Sequence, residues 1–324
     1  MAKTIRREME VNGFAGFVNF AIGVVENSIF YHDFDAVEEK AREACMAGQT
    51  NSKEIVLFQR NIEANSEVLS YNEQIEHILQ DNVLRFLYRP IINARTSQVI
   101  GYFEYVKAYD SPFSSYAEMS KYASRINKNV DLLAKVCKNV ISKFIMERPN
   151  ESMRLFLTIS MVDVNYVFDI ISQIPNYQKA QIILVFDEQE INENSANVEL
   201  LLHTLEGLKD KGFELALSLK DKNLLLNDSV YFMFHYFVVG SAMMEEVKEN
   251  NRIRLSLYAL IESLLKYNRP IIATDLEGWQ AVELIIKSGI NYVSSDAISA
   301  SNDMLLPIEK KKMEKVTAMA DKYL

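Results

Sequence analysis

The stretch LRFLYRPIINARTSQVIGYFEYVK, Leu84 to Lys107, is where the chain changes character. LRFLYRPII and QVIGYFEYVK read as two strands rich in β-branched and aromatic residues, with polar NARTS as a hairpin-like turn between them. Downstream, short apolar strands alternate with helices. The strands are LFLTIS (Leu155 to Ser160), QIILVF (Gln181 to Phe186), FELALSL (Phe213 to Leu219), YFVV (Tyr236 to Val239), PIIAT (Pro270 to Thr274) and NYVS (Asn291 to Ser294). The helices between them include Val130 to Glu147, Asn194 to Lys211, Arg252 to Tyr267 and Gly278 to Ser288. Strands that are apolar throughout are buried on both faces, as in a parallel sheet sheathed by helices. Such alternation over about 240 residues matches a (β/α)8 barrel in size. The competing architecture is an open, doubly wound sheet.

Upstream the pattern is smaller. FVNFAIGVV (Phe17 to Val25) reads as a strand, Asp33 to Met46 as an amphipathic helix stopped by Gly48, and KEIVLF (Lys53 to Phe58) as a second strand. This predicts a βαβ unit in residues 1–65, a polar linker helix over 66–81, and the large α/β unit over 82–324.

The composition suits a packed domain: 49% of the 324 residues are hydrophobic and 24% charged, so nothing suggests disorder. A formal net charge of -9 gives no basic field to gather DNA. Cys45 and Cys137 have no metal or disulfide spacing, which points to a reducing cytoplasm. No stretch approaches the roughly twenty apolar residues of a membrane span, and the N-terminus lacks the apolar core of a signal peptide. The four histidines, His32, His77, His203 and His235, lack metal-like spacing. No Gly-rich phosphate loop occurs and no Ser, Cys or His triad can be assembled. YFMFHYF (Tyr231 to Phe237) has two readings: a buried loop and strand, or an exposed aromatic patch for a partner, extended by Met243 and Met244.

The larger unit resembles the EAL family, whose domain is a modified TIM barrel that hydrolyses cyclic-di-GMP. Tyr88-Arg89-Pro90-Ile91-Ile92 followed by Gly101-Tyr102-Phe103-Glu104-Tyr105-Val106-Lys107 parallels that family's YQPIV…GYEALLR. LFLTIS, LVFDE, GFELALSLKD, HYFVVGS, IIATDLEG and GINYVSSD follow in the family's order, over roughly residues 66 to 324. The upstream βαβ unit resembles the closing part of a GGDEF (diguanylate cyclase) domain. The GGDEF signature is absent from this sequence, so cyclase activity is not expected.

The resemblance implies a reaction in which two divalent cations, held by oxygen ligands, clamp the phosphodiester. Here the glutamate of the EAL motif falls at Phe103, with Glu104 one place along and therefore on the opposite face of the strand. The asparagine ligand is Thr158, and the glutamate of the LExTE-like strand is Val185, although its later partner survives as Glu188. The paired aspartates are Ser218 and Leu219, the KID lysine is Val238 and its aspartate Gly240. In the AEGVE-like segment the first glutamate is Thr274 and the second survives as Glu277; the final glutamine is Ser294. The expectation is a pseudo-enzyme with no catalytic residue, no metal and no cofactor. It would act in cyclic-di-GMP signalling chiefly as a protein-interaction scaffold. The second reading is a non-hydrolysing cyclic-di-GMP receptor using Arg89, Lys107 and Lys220, whose bland interpretation is ordinary solvated charge at loop edges. Glu188 belongs to the loop that EAL enzymes use for dimer contacts, which suggests a homodimer.

Overall fold

The computed structural model describes residues 83–323 except 109–110, 114, 196, 221–223 and 241–250, together with 71, 73–80 and the short stretches 22–24, 38, 41–42 and 55–57. The chain divides into two compact units, Met1–Tyr71 and Asn72–Leu324.

In the first unit, strand β1 (Ile22–Val24) pairs in parallel with β2 (Ile55–Leu57), Ile22 opposite Ile55. Parallel neighbours need a long crossover between them. Glu38, Ala41 and Arg42 are helical, and Arg42 meets Glu38 one turn away at 2.7 Å. These positions lie within the expected strand, helix and strand. The remainder of that unit, and Met243 and Met244, lie outside the described residues. Residues 71 and 73–80 are helical.

In the second unit, β3 (Leu84–Asn93) and β4 (Gln98–Ala108) form an antiparallel hairpin, because a four-residue turn can only reverse the chain. Helix-bearing connections then force parallel pairing through β5 (Arg154–Thr158), β6 (Gln181–Asp187), β7 (Glu214–Leu219), β8 (Tyr236–Val239), β9 (Ile271–Leu276) and β10 (Tyr292–Ser295). β10 also pairs antiparallel with β3, Tyr292 opposite Asn93, which closes an eight-stranded barrel in the order β10-β3-β4-β5-β6-β7-β8-β9. Closure removes the doubly wound alternative. The fold is an α/β barrel of TIM type with its first strand reversed.

Gly101 is required where β4 passes β5: a Cβ there would run into the carbonyl oxygen of Arg154. The helix Asn129–Glu147 covers the barrel with one wholly apolar face, including Leu133, Val136, Val140 and Phe144. The expected helix from Asn194 to Lys211 is present and begins at Val198, and a further short helix precedes it. A short helix, Glu188–Glu193, starts directly on the end of β6, and a second, Val198–Asp210, starts at Asn197, whose side chain accepts the Leu200 N–H at 3.0 Å.

YFMFHYF is a core segment. Tyr231, Phe234 and Phe237 are fully buried and Tyr236 nearly so, while Phe232 is half exposed. The partner-patch reading of these rings is therefore set aside: the helix Asp228–Tyr231 and β8 turn them inward against one another and Tyr267.

Candidate functional site

The C-terminal ends of the parallel strands converge on one mouth, the place where barrel folds build sites. Strand alternation decides which side chains face it. Phe103, Val185 and Val238 turn inward and pack with Ile91, Phe156, Ile183, Ala216, Tyr236 and Ile272 as one apolar cluster. The rings of Phe103 and Phe156 meet at a tilt of 51° with centroids 4.9 Å apart, and Phe156 meets Tyr236 edge-on at 5.5 Å. Above this plug lies a cavity of about 230 Å³ whose lining includes Phe103, Tyr105, Lys107, Thr158, Asp187, Glu190, Ser218, Lys220, Val238 and Asp275.

The charges around the mouth are largely spent on each other. Arg89 is buried, its guanidinium 2.5 Å from Asp275 and 3.0 Å from Asp296, with a further bond to Ser301 Oγ at 3.0 Å. It lies over the ring of Tyr105, 4.6 Å from the centroid, and the Tyr105 hydroxyl donates to Asp275 at 2.9 Å. Burial, with the Asp275 charge alongside, drives the Tyr105 phenol well above its usual range. Asp275 has φ +56°, a left-handed backbone that costs a non-glycine residue on the order of 1 kcal/mol. It stands where the AEGVE-like pattern has its glycine. Lys220 is exposed but pairs with Asp187 at 2.5 Å. Asp187 also caps the helix Glu188–Glu193, accepting the Gln189 N–H at 2.9 Å.

Two further carboxylates border the cavity from buried positions. Glu104 faces the opposite side of β4 from Phe103 and accepts the Thr158 N–H at 2.6 Å, standing in for a ladder partner where β4 and β5 part. Burial pushes its pKa up to about 7 against those bonds to Thr158. Glu190 accepts the Ser160 hydroxyl at 2.5 Å through Oε1, while its buried Oε2 has no hydrogen-bond partner. Burial raises its carboxyl too, opposed by the bonds from Ser160 and the Met161 N–H and by the charge of Lys121.

The sequence-derived candidates therefore separate. Lys107 and Lys220 share the cavity. Arg89 is neither a free ligand contact nor a solvated surface charge, because Asp275 and Asp296 hold it inside the wall. Glu188 is fully buried, its Oε1 accepting the Leu225 N–H at 3.1 Å and the Tyr231 hydroxyl. Glu277 is exposed at the start of the helix Gly278–Lys287. Asp275, Asp187 and Glu190 went unnoticed from sequence. The first two were readable in principle, as an acid replacing a motif glycine and as a cap ahead of a helix.

Among the described residues, no three His, Cys, Asp or Glu side chains are grouped so as to hold a metal ion. The donor set does not fit a pair of hard cations. Hydrocarbon from Phe103, Val185 and Val238 occupies the inner mouth, and Asp275 and Asp187 are engaged by Arg89 and Lys220.

The sequence model of the EAL domain family matches residues 72–300. Among solved structures, the fold is similar to that of the Xanthomonas citri FimX EAL domain in complex with c-diGMP: TM-score 0.60 and 13% identity, covering 77% of this chain and 99% of that one. It is similar to the Bacillus subtilis YkuI protein, which has an EAL domain, in complex with substrate c-di-GMP and calcium, at TM-score 0.60 and 13% identity, covering 77% of this chain and 63% of that one. An EAL domain protein of Listeria monocytogenes aligns at TM-score 0.53 and 12% identity, covering 78% of this chain and 98% of that one. No curated protein matches the chain.

Proposed function

Because the chain belongs to the EAL domain family, we propose that its barrel is a non-catalytic member acting in cyclic-di-GMP signalling as a protein-interaction scaffold. The observation that carries this reading is the apolar cluster of Phe103, Val185 and Val238 at the positions where the family's motifs place a glutamate, a glutamate and a lysine. A phosphodiester hydrolysed between two cations needs anionic oxygens to hold those cations and positive charge to meet the developing negative charge. Hydrocarbon supplies neither. The hydroxyls of Thr158, Ser218, Thr274 and Ser294 are weak ligands for hard cations beside carboxylates. In the same proposal the first unit is a degenerate GGDEF-like remnant, and the protein is cytoplasmic.

The second reading, a receptor that binds cyclic-di-GMP without turnover, draws on Lys107 and Lys220 sharing the cavity and on the ligand in the FimX and YkuI structures. The charge balance weighs against it. Glu104, Asp187, Glu190 and Asp275 face Lys107 and Lys220, an unfavourable field for a dianion. The cavity, about 230 Å³, is also below the roughly 300–1,000 Å³ of pockets for drug-sized ligands. Incubation with cyclic-di-GMP and Mn²⁺ is expected to yield no linear pGpG; its appearance would sink the non-catalytic reading. Calorimetric titration with cyclic-di-GMP is expected to give no saturable heat. Micromolar binding that weakens in Lys107→Ala or Arg89→Ala would replace the scaffold by the receptor.

A further inference from the structure

We infer that the cavity at the barrel mouth is a binding site for the protonated amine of a small organic molecule, with Glu190 as its acceptor. The inference goes beyond the proposed function and rests on the geometry of the mouth. Every other acid at that cavity is answered within the chain: Asp275 by Arg89 and Tyr105, Asp187 by Lys220 and the Gln189 N–H, Glu104 by the Thr158 N–H. Glu190 is the exception. Its residue is 4% exposed and borders the cavity, and only one of its oxygens is engaged. The ammonium of Lys121 bonds to Glu193 at 3.3 Å and supplies Glu190 only a field. A buried carboxylate oxygen without a donor is stabilised by whatever brings one.

The walls specify what that molecule is. Phe103 and Val238 present hydrocarbon on one side, which suits a short methylene chain and disfavours a strongly hydrated metal ion. Aromatic rings bordering the space favour a cation over an anion. Lys107, exposed at the rim with no ion pair among the described residues, admits a carboxylate at the far end of the same molecule. The shared chemistry is a primary ammonium on a short aliphatic chain; a diamine and an amino-carboxylate are its two sources.

The test is calorimetric titration of the full chain with 1,4-diaminobutane, with 4-aminobutanoate and with butanoate. At least one of the amines is expected to bind saturably, with a Kd on the order of 1 mM or tighter, and butanoate not at all. Preference for 4-aminobutanoate, lost in Lys107→Ala, assigns the amino-carboxylate; preference for the diamine assigns the polyamine class. Glu190→Gln should weaken amine binding by at least about tenfold, the value of a charge-assisted hydrogen bond. Val238→Phe, which fills the cavity and leaves Glu190 in place, should abolish it without unfolding the barrel. The inference is overturned by silence from both amines, by butanoate binding as well as they do, or by undiminished binding to a folded Glu190→Gln chain. None of these outcomes bears on pGpG formation, so the two proposals fail separately.

Discussion

Two buried acids a short way apart in the fold are treated in opposite fashion. Asp163, behind β5, is fully buried and accepts from Tyr116 at 2.7 Å, Ser120 at 2.6 Å and Asn129 at 3.1 Å. Those donors come from the helix Tyr116–Arg125 and the start of the helix Asn129–Glu147, so the carboxylate fastens two helices to the turn after β5. Burial raises its pKa while the three bonds pull it down. Glu190, at the mouth, has one oxygen bonded and the other orphaned beside a cavity. Burial alone does not mark function. The completeness of hydrogen bonding does: a saturated acid holds the fold together, and a half-satisfied one beside open space is set up to meet something else.

The comparison can be broken most forcefully at its structural end. Asp163→Ala strands two buried donors and a partly buried third, and should cost about 3–5 kcal/mol, read as a lowered denaturant midpoint. A loss below about 1 kcal/mol would mean that the network is ornamental. Glu104 gives the next largest effect, and it is a pH effect. Its carboxyl rises from an ordinary 4.5 to about 7 in the folded chain, so between those values the folded state binds the proton that the unfolded state has released. The stability contributed by protonated Glu104 is complete below pH 4.5 and is lost as pH rises through 7, about 3 kcal/mol in all. Stability curves of Glu104→Gln and the parent chain should therefore diverge over that window, the variant gaining relative to the parent toward pH 8. Parallel curves would remove the buried acid from the account.

Arg89→Ala should destabilise by about 1–2 kcal/mol, moderated because Asp275 and Asp296 are partly exposed. Adding Asp275→Gly should recover part of that loss, since glycine adopts φ +56° freely and the stranded charge is removed with it. A double variant worse than the single one would mean that Asp275 serves the fold independently of Arg89. Smallest of all, Glu190→Gln should shift the denaturation midpoint by less than about 1 kcal/mol, because it keeps an acceptor for Ser160 and gives up no saturated network. A loss as large as that of Asp163→Ala would erase the distinction between the two acids.

Much of the barrel was legible locally. Apolar runs such as QIILVF and YFVV carry their own periodicity, and the hairpin at NARTS announced the reversed first strand. The placement of Phe103 inside and Glu104 outside follows from alternation along a single strand. Where the reading slipped, a local pattern gave way to a tertiary one. The run from Asn194 to Lys211 is a good helical pattern, and only its start is displaced, because the side chain of Asn197 caps the helix there. YFMFHYF left two readings open from sequence, and the barrel wall decides for the buried one by turning its rings inward. Arg89 looked like a loop-edge charge, because nothing near it in sequence neutralises it.

Alternating side chains and the spacing of apolar runs are short-range properties, so the amino-acid order alone determined an α/β barrel of this family's type and the inward-facing apolar side chains Phe103, Val185 and Val238. Barrel closure between β10 and β3, and the capture of Arg89 by Asp275 across 186 positions, were decided only in three dimensions. So was the orphaned oxygen of Glu190, since satisfaction of a buried group depends on every element packed around it and not on its neighbours in the chain.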